Sequence, residues 1–138
     1  MSDLLTWYRA QLDEDERIAL AATQGEWSVN SGRYAEYIVS DGGTCVVAGG
    51  RWGDEASVFE TTEDAIHIAR HDPASVPADI AAKRAIVDKL EFLTAGTTPS
   101  DRVRGLQAAY REVVRLLASA YAHRPGYLPE WSPVRSET

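Results

Sequence analysis

The stretch Arg33-Tyr34-Ala35-Glu36-Tyr37-Ile38-Val39-Ser40-Asp41-Gly42-Gly43-Thr44-Cys45-Val46-Val47-Ala48 decides the fold class. Its first half is aromatic and β-branched, and Thr44 to Ala48 answers it as a partner strand. Asp41-Gly42-Gly43 between them is hairpin-turn chemistry, because glycine supplies the positive φ that such turns need. Cys45 falls inside the answering strand and reads as a small apolar residue, not a nucleophile. Towards the N-terminus, Glu26-Trp27-Ser28-Val29 predicts another short strand, followed by the turn Asn30-Ser31-Gly32. Towards the C-terminus, Gly49 to Asp54 reads as a loop and Ala56 to Phe59 as a candidate last strand. Three or four short antiparallel strands in a meander need a helical layer over one face.

The flanking sequence supplies that layer. Ser2 is a good N-cap for a helix from Asp3 to Ala22, with Leu5, Tyr8, Leu12 and Ala19 on one face. Gln24-Gly25 stops it. After the strands the period changes. Thr61 or Thr62 caps a short helix from Glu63 to Arg70, and His71-Asp72-Pro73 breaks it, since proline disfavours a helical residue before it. A helix from Ser75 to Leu93 follows, with Pro77 in its first turn, where a missing N–H is tolerated. Ala95 to Pro99 is a loop. Ser100 caps a last helix to Ala122, striped by Val103, Leu106, Tyr110, Val113, Val114, Leu117 and Tyr121. The tail, with Pro125, Pro129 and Pro133, is expected to be non-helical, held to the body by Tyr127, Leu128 and Trp131. The reading is a single α+β domain over residues 1–138: helix 1–24, antiparallel sheet 26–60, helices 61–122 and extended tail 123–138, with a three- to four-stranded meander against three to four helices.

The 138 residues, 44% hydrophobic and 25% charged, suit one globular domain with its own core. One cysteine excludes an intramolecular disulfide and fits a reducing compartment. No basic-apolar-small leader and no membrane-length apolar run is present, which predicts a cytoplasmic protein. The net charge of −7 argues against general nucleic-acid binding, which draws on phosphate neutralisation by a basic surface.

Three constellations could carry chemistry. His67 and His71 stand one helical turn apart with Asp64 on the same face, and His123 could join them. Imidazoles at that spacing with a carboxylate can hold zinc or another divalent metal. The competing reading is that histidines near a helix C-terminus meet its dipole and last carbonyls. Asp79 and Lys83 share the apolar face of Val76, Ile80, Val87 and Leu90, and Asp15 lies on the stripe of the first helix. They make a polar cluster or an edge pair whose lysine reaches solvent. Arg104, Arg111 and Arg115 share the outer face of the last helix and could meet an anion or a partner. A solvated face, or pairing with Asp13 to Glu16, is the simpler account. The paired glycines lack the lysine and spacing of a phosphate loop.

The segments Asp3 to Glu16, His67-Ile68-Ala69-Arg70-His71-Asp72-Pro73-Ala74, Ala82 to Val87 and Leu116 to Tyr127, which includes Tyr121-Ala122-His123-Arg124-Pro125-Gly126-Tyr127, resemble in order the blocks of an uncharacterised family of small actinobacterial and actinophage proteins. Pro77 and Ala120 depart from its usual pattern. The resemblance implies a cytoplasmic or phage-derived protein and brings no activity.

The leading expectation is a non-enzymatic accessory or interaction protein, phage-linked by that resemblance, with a protein partner and no cofactor. A homodimer and a monomer fit equally, and no membrane is involved. A small metal-dependent or acid–base enzyme using the His67/His71 face is the first alternative. An acidic nucleic-acid mimic presenting Asp13, Glu14 and Glu16 is the second. A binding module would show an apolar patch around Trp52 or Trp131.

Overall fold

The computed structural model describes residues 1–31, 36–48, 62–96 and 98–133. Of the expected turn Asn30-Ser31-Gly32, Asn30 and Ser31 instead continue the first strand, pairing with Tyr37 and Glu36. Gly32, the loop at 49–54 with Trp52, the candidate strand at 56–59 and the cap at Thr61 lie outside the described residues. Those described form an α+β fold in the order α1 (Ser2–Ala21), β1 (Trp27–Ser31), β2 (Glu36–Ser40), β3 (Cys45–Ala48), α2 (Thr62–Arg70), α3 (Val76–Thr94) and α4 (Asp101–Ser119), then one 3-10 turn (Pro129–Trp131). The chain divides into two compact units, one of residues 15–79 and one of residues 1–14 with 80–138.

In the unit of residues 15–79, the three strands form an antiparallel sheet in chain order. β1 pairs with β2 through Val29 opposite Ile38, and Ile38 in turn faces Val47. The expected hairpin turn is present: Ser40 N–H donates to Thr44 O at 2.9 Å, Gly43 N–H to Ser40 O at 2.9 Å, and Gly43 has φ +83°. The register slips between Ile38 and Val39, so that Val39 faces Cys45 and Val46 is the extra residue of a bulge. The slip shifts the alternation of β3. Val46 and Val47 both pack on the sheet's core cluster, and Cys45 is exposed at the strand's start instead of lying inside it. That cluster is built on Ile38, Ala65 and Ala69, with Trp27 and Val29 against it. Ala65 and Ala69, one turn apart on α2, give the helix a small-residue face that seats closely over Ile38, which is fully buried. Burying such a side chain contributes about 1.5–3 kcal/mol.

Helix α1 ends at Ala21, and the side-chain amide of Gln24 returns to cap it, donating to the carbonyls of Ala19, Leu20 and Ala22 at 2.9, 3.1 and 2.8 Å. These carbonyls have no helical partner at a C-terminus, so the amide does what glycine or a cation often does there.

The unit of residues 1–14 and 80–138 buries side chains from three helices. Leu4, Leu5, Tyr8 and Leu12 repeat at helical spacing on α1, Ile80, Val87 and Leu90 on α3, and Val114 and Ala118 on α4. Arg9 bridges two acids of α3, with Nη2 2.7 Å from Asp88 and 2.9 Å from Glu91, and Nη1 on the other Glu91 oxygen. The hydrogen bond from Arg9 holds the Glu91 carboxyl below its usual range, and the same bond raises the guanidinium. Arg84 reaches Asp13 at 2.6 Å. Both links are exposed, so they fix register more than they stabilise. Helix α4 ends at Ser119, not Ala122; from Ala120 the chain continues as turns into Pro125. Its apolar stripe is only partly covered. Val114 and Ala118 mark the inward direction, and Leu106 and Val113 at its margin are each 38% exposed. Ser2 is the first helical residue of α1 and not its cap.

Ser100 does cap α4: its hydroxyl accepts from Val103 N–H at 3.3 Å. Ser100→Ala should lower stability by about 1 kcal/mol in urea unfolding, the usual worth of such a cap. An unchanged midpoint would deny the cap its role.

The tail is held by Trp7 of α1. The indole N–H donates to Pro125 O at 3.0 Å. Tyr127 and Trp131 pack on the same ring, each 5.5 Å away between centroids. Leu128, expected to help, is exposed. The tail also carries a 3-10 turn, contrary to the non-helical expectation, because Pro129 stands at its first position, where no N–H is required.

Candidate functional site

A groove of about 500 Å³ opens in the unit of residues 15–79, lined by Glu26, Trp27, Ser28 and Val29 of the β1 segment and by Ile66, Ala69, Arg70, Asp72, Ala74 and Ser75. Its construction follows from one peptide unit. Glu26 O accepts from Asp41 N–H at 2.8 Å, extending the ladder towards β2. In a trans peptide the C=O and the following N–H point in opposite directions. The N–H of Trp27 is therefore aimed away from the sheet, and a buried donor without a partner is costly.

Asp72 meets it. Its Oδ2 accepts from Trp27 N–H at 3.0 Å, and its Oδ1 accepts from Ser75 N–H at 2.8 Å. The second bond is a helix cap. Asp72, Pro73, Ala74 and Ser75 stand as N-cap, N1, N2 and N3 of a first turn running into α3, with Val76 N–H reaching Asp72 O at 3.3 Å. Ser75 Oγ closes the corner on Arg70 O at 3.2 Å and Asp72 O at 3.1 Å. One carboxylate thus joins β1, the end of α2 and the start of α3. Asp72 is only 7% exposed. Burial by itself pushes its carboxyl up, but the N–H groups of Trp27, Ser75 and Ala74 outweigh that, and the net value lies below the usual carboxylate range. Trp27 is fixed at its other end too, its indole N–H donating to Thr23 O at 2.9 Å.

With Asp72 committed to backbone donors, the remaining lining decides the chemistry. Trp27, Val29, Ile66, Ala69 and Ala74 are apolar, and Ile66 stays 38% exposed at the surface. Glu26 and Arg70 add one charge of each sign, both exposed. The arrangement suits an apolar side chain carried by a polar backbone, which is the character of a peptide segment.

Among the residues singled out by spacing, His67 and His71 come together, their ring centroids 4.6 Å apart, and His71 Nδ1 lies 2.8 Å from His67 O. Among the described residues, no group of three or more His, Cys, Asp and Glu side chains is gathered to hold a metal ion. Asp15 is half-buried, Asp79 is exposed, and both are engaged in interactions. Lys83 is half-buried, with Nζ 3.5 Å from Tyr121 Oη; Arg124 covers the Tyr121 ring at 4.4 Å, and Tyr8 meets it edge-on at 5.7 Å. The three arginines of α4 have different surroundings. Arg104 pairs with Asp101 on its own helix at 3.2 Å, Arg111 lines a hollow with Leu5 and Glu91, and Arg115 is half-buried. Asp13 pairs with Arg84 and not with that stripe. Trp131 is half-buried in the Trp7 cluster, not presented as a patch.

Asp72, Trp27 and Ile66 were not singled out by spacing. His71-Asp72-Pro73 reads as a helix stop, and the same Asp-Pro pair is equally the start of the next helix. The extra fact, that Trp27 N–H needs an acceptor, depends on which way β1 pairs.

No helix among the described residues is long and apolar enough to cross a membrane. A model described as a family of unknown function (DUF6221) matches residues 1–133. Comparison with curated proteins and with solved structures gave no match.

Proposed function

The chain belongs to the DUF6221 family, a family of unknown function, and we propose from its own groove that it is a protein-interaction module which takes a segment of a partner protein between β1 and α2. The groove carries the reading: an open groove of mixed lining, apolar at Trp27, Val29, Ile66, Ala69 and Ala74, with a fixed floor and one charge of each sign at its margin. The fixed floor matters because a preorganised site loses less entropy on binding. The chain's net charge of −7 favours a partner segment of positive charge, through faster encounter and exclusion of acidic competitors. The single cysteine, which can form no internal disulfide, supports action in the cytoplasm.

Site-specific photocrosslinking tests this. A photoreactive residue replaces Ile66 in the groove or Phe92, an exposed residue of α3 that does not line it. The expected result is an adduct from position 66 that is absent from position 92. A synthetic peptide of the crosslinked segment should bind the native chain and lose at least about tenfold in affinity to Ile66→Glu, since a buried unpaired carboxylate opposes docking. Equal adducts from both positions, or a peptide indifferent to Ile66→Glu, would contradict the reading.

A further inference from the structure

The side of α2 turned away from the sheet carries a second arrangement, separate from the groove. Ala65 and Ala69 are buried against the sheet, whereas His67 and His71 are exposed on the helix's other side. We propose that His67 and His71 form a two-imidazole chelate for a late first-row divalent cation that favours tetragonal nitrogen–oxygen coordination, Cu(II) or Ni(II).

Two observations carry this. Residues one helical turn apart project on the same side, and here the two rings lie together, 4.6 Å between centroids and inclined at 54°. The second concerns the tautomer. His67 O can only accept, so the hydrogen bond at 2.8 Å requires that His71 Nδ1 carry the proton. In the neutral ring the lone pair is then on Nε2, and His71 is exposed. A ring nitrogen donating to a backbone carbonyl while the other stays open is the usual support of a metal-bound histidine, because it fixes ring orientation and raises basicity. The dipole of α2 adds nothing repulsive to a neutral imidazole.

The same facts set the kind of metal. Structural zinc sites are closed by four protein ligands and catalytic ones keep three. Two imidazoles leave the remaining positions to water, which suits a tetragonal ion with nitrogen and oxygen ligands. Among divalent ions of the first row the affinity order peaks at copper. The site is exchangeable and surface-borne, and its occupation ties the last turn of α2 to the residue before Asp72.

Cu(II) titration of the full, tag-free chain tests the proposal, with Cys45→Ser included so that the exposed thiol does not compete. Calorimetry should give one Cu(II) per chain, and electron paramagnetic resonance should show coupling to two nitrogens. His67→Gln and His71→Ala should each weaken binding at least about tenfold, a loss no smaller than that seen for removing supporting residues at metal sites. His123→Ala should leave it unchanged. Copper should also raise the melting temperature of the parent and not of His67→Gln, since only a ligand of the folded state does so. His67→Gln leaves the His71 hydrogen bond to the main chain in place, so its folding is not in question. Absence of binding by the parent overturns the proposal. So does unchanged affinity in folded His67→Gln, or equal loss in His123→Ala.

Discussion

Asp72→Ala is expected to destabilise the unit of residues 15–79 by about 2–4 kcal/mol, the sum of a lost helix cap and a buried N–H left without an acceptor. The substitution strands Trp27 N–H and leaves Ser75 N–H only the main-chain carbonyl of residue 72, at 3.2 Å, at the corner where β1, α2 and α3 meet. Asp72→Asn should be milder, because its carboxamide keeps one accepting oxygen of the two. The two variants also differ from the parent in acid. The Asp72 carboxyl lies below its ordinary range when folded. A depressed folded value means that the stabilisation is fully present above the ordinary carboxylate range and is lost as the pH falls through the folded value. Urea midpoints taken from neutral pH down through the carboxylate range should therefore fall more steeply for the parent than for Asp72→Asn. Parallel acid limbs would remove Asp72 from the account of the groove.

Gly126→Ala is the second large effect, at about 2–3 kcal/mol. Gly126 has φ +87°, where a residue with Cβ is strained by about 1–2 kcal/mol. A Cβ there would also stand 2.9 Å from Trp7 Nε1, which already donates to Pro125 O. The indole must move, and its hydrogen bond is worth about 1 kcal/mol. Moving it disturbs both of its ring contacts, with Tyr127 and Trp131. The loss should appear as a red-shifted tryptophan emission together with a lower melting temperature. Trp7→Phe, which keeps a ring and removes only the donor, should lose less than Gly126→Ala. A Gly126→Ala chain as stable as the parent would show that the tail is not locked through Trp7.

The sheet and the helices could be read from the chain because their signals are local. The period of two around Ile38, the Asp41-Gly42-Gly43 turn and the stripe of Leu5, Tyr8 and Leu12 each need only a few neighbouring residues. Helix ends were less legible. Ala120 to Ala122 has good helix formers, yet Pro125 downstream and the Trp7 contact draw the chain into turns before that. Cys45 was misplaced because a bulge shifts alternation without leaving a mark in a run of small and β-branched residues. Arg104, Arg111 and Arg115 share a helical face by spacing, but what each meets depends on Asp101, on Glu91 and on burial, none of which periodicity reports. The groove was invisible for a stronger reason. Trp27 and Asp72 are joined across 45 positions of sequence, and the bond exists only because the Glu26 carbonyl is committed to Asp41. The histidine pair is the converse case: its spacing was plain, and the tautomer that gives it use came only from the geometry.

The most direct test of the groove's construction is the hydrogen-exchange rate of the Trp27 backbone amide, read by nitrogen-15 NMR in the parent and in Asp72→Ala, which leaves no side-chain acceptor. Protection in the parent that falls at least about tenfold in the variant, beyond any change at Val39 in the sheet interior, is the expected result, since a net hydrogen bond of about 1.4 kcal/mol corresponds to that factor. A Trp27 amide that exchanges freely in the parent, or is equally protected in both chains, would contradict an Asp72 latch and with it the fixed floor on which the peptide-binding reading rests.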